Sequence, residues 1–379
     1  MKILLVNHRF HPAEGGTERW TWGLARGLTS LGDSVQVLTQ EEPNAATQEF
    51  LDGIHVHRLP MRHLGKFRVP RSYWRTLRSL DYDLLHMSGN RIWCADFYFP
   101  VAGIFDGPQV ITPHDFYQLA MDPSWLNRAY FGRYFPLVLR AFDAYLALNA
   151  KEQERMIRFG FPPRRIHLVG EGVDLAEFRS PPGFRGFRER WGISTPLMAL
   201  YVGGLWPNKR LDRVVRALVG HGPRVALVIV GRDIPGHASD RASVEAMARA
   251  HGVPVIFTGP LPRDEVLAAY HEADLYLQGS SYEAFGVSLV EACAAGLPFV
   301  AYDTGIARDL AGDGAGFVAA EEDEFRTAVA RLIQDEPLRL EVGRKARQAS
   351  RRWDWDSVVP SYRKIYQDVL KGHGAAQHR

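Results

Sequence analysis

The stretch Ser281-Tyr-Glu-Ala-Phe-Gly-Val-Ser-Leu-Val-Glu-Ala-Cys-Ala-Ala-Gly-Leu-Pro-Phe-Val-Ala-Tyr302 carries two carboxylates, Glu283 and Glu291, on either side of Phe285-Gly286. Its alanine-rich centre predicts a helix, and Gly296-Leu-Pro predicts the helix end. Glu283 then lies on the entry loop, and Glu291 lies on the helix about two turns further on. Backbone N–H groups at such a helix start suit a phosphate. A carboxylate accepts hydrogen bonds and donates none, so the two acids suit the hydroxyl groups of a sugar and of a ribose. One site could therefore hold a sugar, a diphosphate and a ribose in a row. The plain alternative is an amphipathic helix with surface glutamates, followed by a buried strand.

Phe-Gly, Glu-Ala and Gly-x-Pro all fall at fixed spacing around the two acids. The stretch resembles the Glu-x7-Glu motif of retaining glycosyltransferases with the GT-B fold, family 4 (glycosyltransferase group 1). The resemblance runs from the first strand to the final helices, strongest across residues 197–305 and weakest across 40–100. It implies that Glu283 holds the hydroxyls of the transferred sugar and Glu291 the ribose of a nucleoside-diphosphate sugar. The N–H groups around Phe285, Gly286, Val287 and Ser288 would meet the diphosphate.

Other residues enter through the same resemblance. This chain has Gly203-Gly204-Leu205-Trp-Pro-Asn-Lys209 where the family has Gly-Arg-Leu, three residues, then Lys. Lys209 keeps the position of the lysine that clamps the donor diphosphate, and a cation there suits a leaving group that gains negative charge. The family's arginine is replaced by Gly204, and Arg210 and Arg9 are candidate substitutes. His114-Asp115, after the strand Val110–Thr112, resembles a pair whose histidine reaches the donor sugar, and its charge is expected to respond to a nearby phosphate. Gly15-Gly16-Thr17-Glu18 resembles a loop facing the donor phosphates and the acceptor, with Thr17 expected to cap the following helix. Thr258 and Leu261 fall where the family places the nucleotide base. Gly170-Glu-Gly-Val-Asp174 resembles a turn at the domain junction, with Glu171 in place of Asn and Asp174 as a cap.

These residues need elements to position them. Lys2–Asn7 and Leu197–Val202 each read as strand, glycine turn, then helix, and each opens an alternating β/α series. Further short strands read at 35–38, 84–87, 110–112, 145–148, 225–230, 255–257, 275–278 and 299–301, rich in Val, Leu and Ile as buried parallel sheets require. The expectation is an α/β chain: GT-B, two doubly wound Rossmann-like domains facing across a cleft. The expected parts are an acceptor-binding domain at 1–178, a nucleotide-sugar-binding domain at 179–352, and a C-terminal helix at 353–379 that crosses back. Ser180–Phe187, rich in Pro and Gly, reads as the linker. The last helix is expected to bury Val358, Tyr362, Ile365, Tyr366 and Val369.

Composition narrows the partners. The chain has 379 residues, 46% hydrophobic, with a net charge of +3. Seven cations and no acid lie between Arg58 and Arg78, so the rest of the chain is net acidic. Basicity this local excludes a broad nucleic-acid-binding face. Within it, Lys66, Arg68, Arg71, Trp74 and Arg75 stand beside Phe67 and Tyr73, a pattern that suits an anionic membrane surface and a lipid-linked acceptor. The competing reading packs these aromatics onto the N-terminal domain. Cys94 and Cys293 cannot build a disulfide framework, and the expected location is cytoplasmic, on a membrane but not across it. No cofactor and no metal are expected. Gly-x-Gly-x-x-Gly is missing after the first strand, and His55 and His57 lack a third ligand. The expected reaction moves a hexose-type sugar to an acceptor hydroxyl, with front-face transfer and double displacement both open. A small soluble aglycone as acceptor, and a GT-B epimerase or phosphorylase, are the alternatives.

Overall fold

The computed structural model describes residues 1–13, 15–64, 67–89, 98, 107–114, 124–179, 183–233 and 241–377. The chain divides into two compact units, one of Met1–Gly172 with Trp355–Arg379, the other of Val173–Asp354.

The first unit contains β1 (Lys2–Val6), β2 (Ser34–Gln40), β3 (Gln48–Leu51), β4 (Ile54–Leu59), β5 (Met61–Leu64), β6 (Phe67–Pro70), β7 (Leu84–Ser88), β8 (Gln109–Thr112), β9 (Ala144–Ala147) and β10 (Ile166–Leu168). Eight of them form one sheet in the order β10, β9, β8, β7, β1, β2, β4, β3, while β5 and β6 pair as a hairpin. All neighbours in the sheet run parallel except β3 with β4. Val6 sits between Leu38 and Met87, and all three are buried, because helices cover both faces of a parallel sheet. The order reverses at β1, so ligands are expected where the loops leave β1 and β7.

The last helix, Trp355–Gln377, packs on the first, Gly16–Ser30. A β-carbon at Gly23 would lie 2.1 Å from the Trp355 ring, and one at Gly27 would lie 2.3 Å from Val359. Only glycine permits that approach. Val358, Val359, Tyr362 and Tyr366 are buried. Ile365 and Val369, expected in the same stripe, are half-buried, since the groove beside the first helix favours the 355–359–362–366 face.

The second unit holds β11 (Leu197–Val202), β12 (Val225–Val230), β13 (Val255–Gly259), β14 (Leu275–Gln278), β15 (Phe299–Tyr302) and β16 (Gly316–Ala319). Their order is β13, β12, β11, β14, β15, β16, all parallel, with the reversal between β11 and β14. Both units are thus Rossmann-like.

The second unit begins at Val173 rather than at 179, because Leu175 and Phe178 are buried in it, Phe178 with its ring 5.7 Å from Tyr270. Asp174 caps the intervening turn by accepting from the Ala176 amide at 3.1 Å. The stretch expected as a linker is docked where it is described. Phe187 is fully buried, and the Glu272 carboxylate accepts from the amides of Gly186, Phe187 and Arg188.

Candidate active site

Loops leaving β11 and β14 meet at the switch point of the second sheet. Gly279 makes this possible: a β-carbon there would lie 2.4 Å from the Arg210 carbonyl oxygen. The loops are stitched further by the Ser281 amide, which donates to the Asn208 carbonyl at 2.8 Å. As a result Lys209 Nζ reaches both oxygens of Glu283, at 2.9 and 2.8 Å. Ser280 Oγ donates to Glu283 Oε1 at 2.7 Å. The two charged side chains keep 17% and 14% exposure, so a ligand can still touch them. An ammonium has three donors and a carboxylate about four acceptor positions, so each group retains capacity for a ligand.

The helix Val287–Ala295 starts beside this pair. Gly286 precedes it with φ +103° and, as glycine, brings no side chain to cap its first turn. Its amides therefore keep their capacity for an anion. Glu291, one turn in, is only 5% exposed. Arg263 Nη2 lies 2.8 Å from Glu291 Oε1, and Tyr270 Oη donates to Glu291 Oε2 at 2.9 Å. Arg263 also donates from Nε to Glu177 at 2.9 Å. Burial opposes its charge, but Glu291 and Glu177 together hold its pKa above the ordinary guanidinium value. Burial, reinforced by the Glu291 charge, pushes the Tyr270 phenol well above its usual range and keeps it a donor.

Arg210 does not join the Lys209–Glu283 pair. Its guanidinium donates twice to Asp212, both at 2.9 Å. Burial raises the Asp212 pKa, but Arg210 and Arg216 outweigh it and hold the carboxyl at about 2. Arg9, the other substitute considered, is committed to Glu42 in the first unit. Tyr201 Oη donates to the Gly204 carbonyl at 3.2 Å, and Gly203 precedes it in the turn after β11. Thr258, on the edge strand β13, donates to the Gly259 carbonyl, and Leu261 is half-buried just beyond it.

In the first unit, His114 follows β8 with φ +35°, a left-handed conformation that costs a non-glycine residue on the order of 1 kcal/mol. Its Nε2 is buried and has no hydrogen-bond partner among the described residues. The Trp20 ring meets it edge-on at 4.8 Å and also meets His86 at 5.4 Å. Trp20 Nε1 donates to Tyr362 Oη at 3.1 Å, which donates to the Gly170 carbonyl at 2.7 Å. His86 bonds Tyr366 Oη at 2.6 Å and Thr112 Oγ1 at 2.9 Å. Burial lowers both histidines to about 3, so each is a neutral imidazole near pH 7. Gly15 and Gly16 open the first helix, which starts early enough that Thr17 falls inside its first turn. Thr17 Oγ1 therefore bonds Glu18 instead of capping the helix.

The short helix Tyr73–Ser79 buries Tyr73 and Leu77 in the core of the first unit. Of the two readings of this stretch, the one that packs its aromatics on the N-terminal domain holds for Tyr73, which joins that unit's apolar core together with Leu77. Arg71, Arg75 and Arg78 remain exposed, with Trp74 47% exposed. Lys66 and Asp115 lie outside the described residues, as does the side chain of Arg68.

Arg263, Tyr270 and Ser280 belong to no motif and escaped the sequence reading. One signal was available: an arginine directly after Pro262 opens a helix, where the helix dipole disfavours a cation unless carboxylates hold it.

Comparison with known proteins places both halves. The model for glycosyl transferases group 1 matches residues 184–349, and that for Glycosyltransferase Family 4 matches residues 14–177. The chain is 28% identical to a D-inositol 3-phosphate glycosyltransferase of Xylanimonas cellulosilytica, over 94% of this chain and 92% of the relative. It is 23% identical to a GDP-mannose:cellobiosyl-diphosphopolyprenol alpha-mannosyltransferase of Xanthomonas oryzae pv. oryzae, covering 98% and 97%. Among solved structures, sucrose-phosphate synthase from Thermosynechococcus elongatus superimposes with a TM-score of 0.80 at 19% identity, covering 98% and 99%.

Proposed function

We infer the reaction from one premise: the chain belongs to the family 4 glycosyltransferases of the GT-B fold, enzymes that use nucleotide sugars. The reading is a retaining transfer of a hexose-type sugar from a nucleoside-diphosphate sugar to an acceptor hydroxyl. The second unit would bind the donor and the first the acceptor. The Lys209–Glu283 pair at the switch point carries this reading. Glu283 would accept from the sugar's hydroxyls while Lys209 offers its remaining donor to the diphosphate. As the leaving group departs, negative charge grows on the phosphate, and the ammonium and the helix-start amides favour that state over the ground state. No metal is needed in this scheme, because fixed positive charge already faces the departing phosphate.

The test is turnover of Glu283→Gln with nucleotide binding followed in parallel. Turnover should fall on the order of 100-fold or more, with nucleoside-diphosphate affinity little changed. Activity should survive excess EDTA. Loss of activity on chelation, restored by Mn²⁺ or Mg²⁺, contradicts the metal-free scheme.

We propose further that the acceptor is a lipid-linked or surface-glycan intermediate. Support comes from Trp74, Arg75 and Arg78, which are exposed on the helix that buries Tyr73 and Leu77, and from Arg71, exposed just before it. No helix of the described residues is long and apolar enough to cross a membrane, so contact would be peripheral. Each arginine near an anionic surface contributes about 1 kcal/mol. Replacing Arg71, Arg75 and Arg78 with Ser should release the protein from anionic vesicles at constant donor affinity, and salt should do the same. Equal recovery on neutral and anionic vesicles removes this part of the reading.

A further inference from the structure

Glu291 is nearly sealed from solvent, yet its carboxylate is held at both oxygens by side chains from another element. Arg263 and Tyr270 stand at positions one and eight of the helix Arg263–Glu272, so they grip Glu291 from one rigid rod. Arg263 is itself anchored. Its Nε and Nη2 donate to Glu177, and its guanidinium lies 5.7 Å from the Phe178 ring. Phe178 is buried, so the anchor does not wander. A lone carboxylate this buried would be costly, and a lone arginine at a helix start would be disfavoured by the helix dipole. Together they form a paired, hydrogen-bonded arrangement that fixes where the Glu291 oxygens point. A planar guanidinium can bridge two carboxylates with directed N–H groups, whereas an ammonium presents a single nitrogen.

We propose that Arg263 is a positioning residue that aims the Glu291 carboxylate at the donor's ribose and thereby sets the preference for a ribonucleotide over its 2′-deoxy form. The proposal rests on the reading that Glu291 meets the ribose. A hydroxyl donating to a charged carboxylate discriminates only if the acceptor is held in place; a carboxylate free to swing would lose part of that discrimination.

Calorimetric titration with UDP and GDP identifies the better nucleotide, which is then compared with its 2′-deoxy form in each variant. The unaltered enzyme should prefer the ribonucleotide about tenfold or more. Arg263→Met should bring the ratio to within about threefold by weakening the ribonucleotide alone, and Arg263→Lys should restore the charge but only part of the ratio. Should Arg263→Met fail to fold, Glu177→Gln carries the test, because it loosens the anchor and leaves the Glu291 pair in place; a ratio reduced about twofold is expected. Equal weakening of both nucleotides, or a ratio unchanged in every folded variant, overturns the proposal. Glu291→Gln separates the causes. If it lowers the ratio while the Arg263 and Glu177 variants do not, positioning is wrong and the ribose assignment stands. If it leaves the ratio unchanged, the ribose assignment falls and takes the proposal with it.

Discussion

Beyond β11 and β14 the second unit collects charge, whereas beyond β8 the first unit collects neutral rings. Lys209 with Glu283 and Arg263 with Glu291 are ion pairs, the first still open to solvent. His114, His86, Trp20 and Tyr362 are buried and joined by hydrogen bonds and ring edges. The same sheet architecture therefore supports two kinds of site. Charge kept ready for an anionic ligand must be paired meanwhile, since an unpaired buried ion is costly. A neutral imidazole can be sealed and held in a strained conformation by its neighbours, ready to donate or accept a single hydrogen bond.

Acid should separate the two most sharply. His86 and His114 sit at about 3 when folded, against an ordinary value near 6.5. Below about 6.5 the unfolded chain binds protons that the folded chain refuses, so stability is intact above that pH and falls as pH drops toward about 3. The slope should approach roughly 1.4 kcal/mol per pH unit for each histidine. Urea unfolding from pH 7 to pH 5 measures it, and His114→Gln should flatten it by at most one histidine's share, roughly 1.4 kcal/mol per pH unit, because burial also holds His8, His57, His167 and His271 low. A slope unaltered by that substitution would place the proton uptake elsewhere. A smaller effect is expected from Tyr362→Phe, which leaves the Trp20 N–H and the Gly170 carbonyl without their partner. The loss should be about 1–3 kcal/mol, insensitive to salt because neither hydrogen-bond partner of the hydroxyl is charged. A loss that shrinks with added salt would show that the first unit is not the neutral region described.

Much of this was legible in the sequence. Short apolar runs such as Leu84–Met87 and Val225–Val230 stand where the strands are, because a strand buried on both faces leaves little choice of residue. The loop glycines were legible as turns, but not what Gly279 does, since its role is a contact with Arg210 from 69 positions earlier in the chain. Arg263 was invisible for a similar reason: its partners, Glu177 and Glu291, are set by tertiary packing and no spacing marks them. The cations and aromatics around Tyr73 were legible, yet their pattern cannot say whether an apolar side chain meets a membrane or the protein's own core. Tyr73 and Leu77 meet the core. Arg210 stood next to Lys209 in sequence, but its φ of +47° accompanies a guanidinium held on Asp212.

The central claim is that Lys209 holds its charge for a diphosphate. Calorimetric titration of Lys209→Ala against UDP or GDP, and against the corresponding nucleoside, tests it most directly. The account predicts that the diphosphate loses affinity on the order of 10- to 100-fold while the nucleoside is unaffected. Unchanged diphosphate affinity, or an equal loss for both ligands, would contradict it.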